Sequence, residues 1–294
     1  MVNYIIISPI RNEEQYIEKT ISSVIHQTIK PSEWIIVNDG STDRTVEIIS
    51  TYTNKYNWIK LINKKDRGYY ELGAGVVVSF YTGLKEVKCD YEFVVKLDGD
   101  LSFENDYFEF IFQKFQEIPR LGMASGQSYV PEKRGLYWED TPEDHVKGLL
   151  STYKREVFED IGGFIKSLGW DTVDEITARM KGWVTRSFKE KKIIHYRRLG
   201  SKMGVLKGNI RHGSIGYIIG GDPLYVILRC IYRTFEKPYL IASIAYFWGY
   251  FKAMLTKQKK VVSKEIEKFY RREQRHKLMN KKFYSLYINK IKKK

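Results

Sequence analysis

Residues 96–100 read Lys-Leu-Asp-Gly-Asp and follow the largely apolar run Tyr91–Val95. In an extended segment, residues i and i+2 point the same way, so Asp98 and Asp100 set two carboxylates side by side. Gly99 between them permits a sharp bend. Like charges that close repel unless a cation compensates. A hard divalent cation, held by one or two carboxylates and completed by phosphate oxygens, resolves this. Two further polar clusters, Arg11–Glu13 and Asp39–Asp43, also follow apolar runs. Each alone is ordinary turn chemistry. Three at the carboxyl ends of strands mark the edge where open parallel sheets bind ligands. No G-x-G-x-x-G follows the first apolar run, and G-x-x-x-x-G-K-[ST] is absent. Gly73-x-Gly75 comes only after the third run. The pattern therefore predicts a nucleotide handled through metal rather than through a glycine-rich loop.

The elements that must position these groups alternate. Strands are expected at Tyr4–Ser8, Trp34–Asn38, Trp58–Ile62 and Tyr91–Leu97. Helices are expected from about Asn12 to His26, over Arg44–Thr53 with Ser41, Thr42 or Asp43 as caps, and over Glu71–Val87. Strand and helix in units of about thirty residues predict a doubly wound, Rossmann-like, mostly parallel sheet flanked by helices. Beyond Asp100 the expectation is a helix at Glu104–Glu117, a strand at Gly122–Val130 and a loop-rich stretch at Pro131–His145. Helices at Tyr153–Ile161 and Asp171–Lys181 and a strand at Lys192–Tyr196 then complete a mixed α/β domain.

The composition, 43% hydrophobic over 294 residues, suffices for a sizeable core. Cys89 and Cys230 are far apart and have no metal-type spacing, which predicts neither a disulfide framework nor a zinc site and fits a reducing cytoplasm. The opening residues lack a basic region and a long apolar stretch, so they read as a strand rather than a secretory signal.

The net charge of +15 is concentrated in one place. From Thr256 to Lys294 there are 15 Lys/Arg against 3 Glu; the rest of the chain nets +3. Before this tail, Pro223–Leu255 is apolar and aromatic, divided by Arg229, Arg233, Glu236 and Lys237. The uncharged run Pro238–Phe251 has 14 residues, short of the ~20 needed to span a bilayer. A helical hairpin lying in the interface is expected, with Tyr239, Tyr246, Phe247, Trp248, Tyr250 and Phe251 at headgroup level. A basic amphipathic helix follows, with Ile266, Phe269 and Tyr270 on one face and Met279, Phe283, Tyr287 and Ile291 recurring at i+4. Together they read as a device for holding an anionic cytoplasmic leaflet, peripherally or monotopically. A homo-oligomerisation hairpin with a solubilising tail is the alternative. Nucleic acid is not expected, since the body carries no recognition motif. The division is expected as 1–221 for the α/β domain and 222–294 for the apolar and amphipathic helical extension.

In order, ISPIRNEEQYIEKTISSVIHQT, EWIIVNDGSTDRT, VVKLDGD and IGGF…GWDTVDEITARMKGW resemble the family 2 glycosyltransferases of the GT-A fold, from about residue 3 to residue 200. The resemblance implies that Pro9, Arg11 and Glu13 line the nucleotide pocket. It implies that Asp39 holds the base side of a UDP- or GDP-sugar and that Asp66 contacts the base. Asp98 and Asp100 are the D-x-D element, Asp100 the direct ligand of Mn2+ or Mg2+ and Asp98 nearer the ribose. His195 is either a further metal ligand or structural. Arg197, Arg198 and Lys202 either neutralise diphosphate oxygens or form a solvated face. Counting back eleven from Gly182 places Asp171 as the base of an inverting transfer, with Asp174 as substitute; Trp170 stands where the family carries Glu. The bland alternative is that Asp171, Asp174 and Glu175 merely offset the dipole of a helix N-terminus. The implied activity is transfer of a sugar to a lipid-linked or glycan acceptor at the cytoplasmic membrane face. Transfer to polyprenyl phosphate, which needs no base, is the second expectation, and a non-catalytic nucleotide-binding protein at the membrane is the third.

Overall fold

A computed structural model describes residues 2–66, 73–132, 135–139, 141–197, 204–233 and 240–279. The chain forms two compact units, Met1–Arg198 and Leu199–Lys294.

The first unit runs β1 (Tyr4–Ile10), α1 (Ile17–Ile25), β2 (Glu33–Asn38), α2 (Thr45–Thr53), β3 (Ile59–Asn63), α3 (Ala74–Leu84) and β4 (Phe93–Leu97). It continues with β5 (Leu101–Phe103), α4 (Tyr107–Glu117), β6 (Leu121–Glu132), β7 (Gly135–Trp138), β8 (Leu150–Lys154), α5 (Arg155–Asp160), α6 (Trp170–Met180) and β9 (Val184–His195). These strands form one sheet in the order β3-β2-β1-β4-β8-β6-β9-β5, with β7 paired to β6. The first four neighbours are parallel, as the βαβ spacing predicts. β8 then runs antiparallel to both β4 and β6, so the second half is mixed. β1, β2 and β4 are buried on both faces, which explains why apolar residues fill successive positions in each. One core layer packs Tyr4, Trp34, Phe108 and Phe112, and the other packs Ile7, Val94, Phe80, Tyr153 and Trp170.

Several elements depart from expectation. The first helix begins at Ile17, because Asn12, Glu13 and Glu14 are spent on loop contacts. The start of the helix expected at Tyr153–Ile161 belongs to β8; only Arg155–Asp160 is helical. The last strand begins at Val184, eight residues before the expected Lys192. The loop-rich stretch 131–145 contains β7, paired with β6 as a hairpin.

The second unit contains α7 (Val205–Ile218), α8 (Pro223–Arg233), α9 (Ile241–Leu255) and α10 (Lys264–Met279). The expected division after residue 221 is corrected, since α7 belongs with the C-terminal helices. It lies directly against α9: a Cβ on Gly213 would meet the Tyr246 carbonyl oxygen at 2.0 Å, and one on Gly249 the Ile210 carbonyl oxygen at 1.9 Å. α8 and α9 share a small core of Val226, Cys230 and Tyr250. Buried Asp222 caps α8 by accepting from the Leu224 N–H at 2.9 Å, and Arg275 of α10 donates to it at 2.7 Å. Tyr250, expected among headgroup aromatics, is buried and donates to the Gly221 carbonyl at 2.8 Å. Tyr239, Phe283, Tyr287 and Ile291 lie outside the described residues. Among the described residues no helix is long and apolar enough to cross a membrane.

Candidate active site

The loops after β1 and β2 lock into each other at the carboxyl edge of the sheet. Asn12 holds a left-handed backbone (φ 55°), and its side-chain oxygen accepts from the Thr42 N–H at 2.8 Å. In return, Ser41 Oγ accepts from the Asn12 N–H at 3.0 Å and Thr45 Oγ1 from the Glu13 N–H at 2.8 Å. The Arg-Asn-Glu-Glu and Asn-Asp-Gly-Ser-Thr-Asp segments are thus two halves of one structure. Asp43, expected as a cap, accepts from the Thr45 N–H at 3.1 Å.

This lock fixes the first predicted group. Arg11 donates to the Asp39 carbonyl at 2.6 Å and to Asp66 Oδ1 at 2.9 Å. The Asp39 carboxylate accepts from Lys64 at 2.7 Å, and Lys64 also reaches Ser79 Oγ at 2.9 Å. Gly40 has φ +76° and sits so close to Asp66 that a Cβ would lie 2.6 Å from its Cα. The fold therefore brings Arg11, Asp39 and Asp66 together. Pro9, half-buried in β1 opposite Val37, lies two residues before Arg11.

The second group gathers around the D-x-D element. Asp100 Oδ2 lies 3.5 Å from His195 Nε2 and 3.8 Å from Arg197 Nε. Glu13 packs its Cγ beside Gly99, 3.1 Å from where a Cβ would be. Arg197 clasps both Glu13 oxygens at 2.9 and 2.6 Å. Burial, reinforced by the charge of Asp100, pushes the Glu13 carboxyl up to about 8 despite Arg197. Burial also raises Asp98, while its Lys96 neighbour opposes the shift. Burial would raise Asp100 too, but the His195 hydrogen bond and the charges of His195 and Arg197 outweigh it and leave it below the usual range. Arg198 and Lys202 lie outside the described residues.

Lys96 carries a role the sequence reading missed. Its ammonium is buried within β4, ion-paired with Asp98 Oδ1 at 2.5 Å and donating to the Gly148 carbonyl. A lone lysine in an apolar strand was the available signal, since a buried charge must be paired.

For a divalent cation, the donor set present is the Asp100 carboxylate with His195 Nε2. Among the described residues His195 Nδ1 is buried without a hydrogen-bond partner, and Nε2 is the nitrogen turned to Asp100. Asp98 is engaged by Lys96. Among the described residues no three His, Cys, Asp or Glu side chains are arranged around one metal position. One carboxylate and one imidazole fit an ion whose remaining positions are filled by phosphate oxygens and water.

The two predicted bases separate. Asp171, in the first turn of α6, is half-buried against the segment that backs the D-x-D element. A Cβ on Gly148 would lie 2.9 Å from its Cβ, and the adjoining Leu149 carbonyl accepts from the Asp98 N–H at 2.8 Å. Asp174 instead is buried on the inner face of α6, where Tyr153 donates to its Oδ2 at 2.5 Å. Burial, with the charges of Glu175 and Asp171, raises it well above the carboxylate range. Asp174, expected as the substitute base, is thus buried and engaged by Tyr153, whereas Asp171 is half-buried. Glu175 is also buried and accepts from His145 Nδ1 and the Val146 N–H.

The model of the family described as "Glycosyl transferase family 2" matches residues 5–169. Glycosyltransferase GlyA of Streptococcus pneumoniae serotype 4 is 30% identical over 160 residues, 54% of this chain and 20% of GlyA. Poly-beta-1,6-N-acetyl-D-glucosamine synthase of Staphylococcus epidermidis is 25% identical over 185 residues, 56% of this chain and 41% of that protein. The chain thus spans less than half the length of either relative. Mannosyltransferase PcManGT of Pyrobaculum calidifontis, solved with GDP-Man and Mn2+, shares the fold with a TM-score of 0.54 at 18% identity, over 97% of this chain and 83% of that one. The mixed sheet with its acidic carboxyl edge is the GT-A fold, and with the family model covering more than half of its length the chain belongs to glycosyl transferase family 2.

Proposed function

We propose that this glycosyltransferase moves a sugar from a UDP- or GDP-linked donor, with inversion, onto a hydroxyl of a lipid-linked or glycan acceptor in polysaccharide synthesis. The observation that carries this reading is the convergence of Glu13, Asp98, Asp100, His195 and Arg197, drawn from three separate strand ends, beside the Arg11–Asp39–Asp66 group. The activities of the similar glycosyltransferases and the GDP-Man and Mn2+ bound by PcManGT support it. In this reading Arg11, Asp39 and Asp66 receive the nucleoside, and Asp98 the ribose. Asp100 and His195 would hold Mn2+ or Mg2+, which when bound offsets the charge of a departing nucleoside diphosphate. Asp171, at the rim behind Asp98, takes the acceptor hydroxyl proton as general base. Incubation with a set of UDP- and GDP-sugars, measuring release of UDP or GDP, tests this. One donor consumed in a divalent-cation-dependent manner is expected, and none consumed overturns the reading.

The second unit is proposed to rest on an anionic membrane surface at the cytoplasmic face. On α8, Leu224, Ile227, Leu228 and Ile231 form an exposed stripe at helical spacing; on α9, Ile241, Ile244, Phe247 and Trp248 form another, with Ile244 62% and Trp248 55% exposed. Apolar stripes on adjacent helices, followed by a basic helix, match the chemistry of an anionic bilayer interface.

A further inference from the structure

The hairpin of β6 and β7 rises beside the catalytic edge and carries a cluster that neither the donor site nor the base requires. β6 runs parallel to β9 as far as Tyr129, which pairs with Ile194, the residue before His195. It then continues alone to pair Val130 with Tyr137. Tyr137 and Glu139, two residues apart in extended chain, share a face of the hairpin. Ser128 lies on that face too, since its hydroxyl donates to Glu139 Oε2 at 2.7 Å. Lys147 completes the group, donating to Ser128 Oγ at 2.5 Å and to Glu139 Oε2 at 2.8 Å. Both charged side chains are about five-sixths buried, while Tyr137 is 51% exposed.

The cluster bridges the two ends of the reaction. Burial alone would raise the Glu139 carboxyl, but Lys147, the Ser128 hydroxyl and the charge of His195 together hold it below the usual range, and the pairing of Tyr129 with Ile194 sets the strand that carries Ser128 beside the end of β9 at His195. On the other side, Gly148 follows Lys147 directly and abuts Asp171. The strand and segment that carry Glu139's partners thus lead on one side to His195 and on the other to Asp171.

We propose that Ser128, Tyr137, Glu139 and Lys147 form the acceptor subsite, and that its ligand is a neutral sugar ring rather than a phosphorylated lipid. This rests on the transferase reading above. A fixed carboxylate, ammonium and hydroxyl together accept from and donate to neighbouring sugar hydroxyls. The Tyr137 ring supplies an apolar face for the C–H side of a pyranose. A phosphate needs uncompensated cations, and here the charge of Lys147 is cancelled by Glu139 while that of Lys96 is engaged by Asp98.

The test is saturation-transfer NMR on the full chain with Mg2+ and UDP or GDP, using cellotetraose, chitotetraose and farnesyl phosphate as probes. A tetrasaccharide is expected to bind, and Glu139→Gln and Tyr137→Ala to weaken it about tenfold or more, the loss of one charge-assisted hydrogen bond or one ring contact. UDP or GDP affinity, titrated in parallel, stays at the wild-type value and shows that the variants fold. Tetrasaccharide binding unchanged in both variants, no tetrasaccharide bound by a nucleotide-binding wild type, or farnesyl phosphate bound instead, overturns the subsite alone. A wild type that binds neither nucleotide overturns the transferase reading, and the subsite with it.

Discussion

Arg197 and Glu13 are separated by 184 residues and meet in a bidentate contact, with two guanidinium nitrogens 2.9 and 2.6 Å from the carboxyl oxygens. The pair ties the exit of β9 to the loop after β1 and supplies positive charge where Glu13, Asp98 and Asp100 crowd together. Arg197→Met leaves three partly buried acids with one cation fewer. A stability loss of about 1–3 kcal/mol is expected in urea unfolding, because truncating one partner strands the other. Arg197→Lys should recover only part of it, since an ammonium cannot make the paired contact.

Asp171 and Asp174 should respond oppositely to amidation. Asp171→Asn is expected to lower transfer to a hydroxyl acceptor by about 10²–10⁴-fold, while Asp174→Asn leaves it near wild type. Activity retained in Asp171→Asn would point to a phosphate acceptor, which needs no base.

Asp174 also gives a pH prediction. Its carboxyl is raised in the folded state, so the native protein holds a proton that the unfolded chain releases above about pH 4. That contribution is fully present below the unfolded value and is lost as pH rises toward the folded one. Asp174→Asn removes the titration, so the stability of the variant relative to wild type should climb from pH 4 upward, read by denaturant midpoints. A constant difference across pH would show that Asp174 does not titrate in this way.

The glycine contact between α7 and α9 allows no side chain. Gly249→Ala would drive a methyl group into the Ile210 carbonyl. Overpacking of this kind costs about 1–3 kcal/mol or more. Thermal unfolding should show the C-terminal unit loosened, whereas Gly208→Ala, at a position open to added atoms, serves as the tolerated control.

Ile244→Glu with Trp248→Glu places two charges on the exposed face of α9. Flotation with phosphatidylglycerol vesicles should fall sharply relative to wild type, while UDP or GDP binding is retained. Undiminished flotation removes the membrane role of this face, and a change in solution mass instead would assign it to self-association.

The parallel half of the sheet was legible because β1, β2 and β4 carry the apolar runs Tyr4–Ile7, Trp34–Val37 and Phe93–Val95, each followed by a polar loop. β8 was not: Leu-Ser-Thr-Tyr-Lys is short and half polar, and its strand state comes from pairing with Phe93–Leu97 of β4. β5 has three residues and exists only through its partner β9. Within the site, the acids were legible by type and their partners were not. Lys64, Lys96 and Arg197 reach Asp39, Asp98 and Glu13 by routes that only the folded sheet defines. Asp171 and Asp174 look equivalent in sequence, and burial against Tyr153 separates them. α7 was not legible, since Gly208, Gly213 and Gly216 lower helix propensity and two of them are contacts with α9 that only the fold defines.

The most direct test of the central claim is calorimetric titration of UDP and GDP, with and without Mn2+, into wild type and Asp100→Asn. The site predicts that one nucleotide binds with Mn2+ present, that omitting the ion weakens binding at least about tenfold, and that Asp100→Asn reproduces that loss in the presence of Mn2+. Nucleotide affinity independent of both Mn2+ and Asp100, or no binding of either nucleotide, would contradict it.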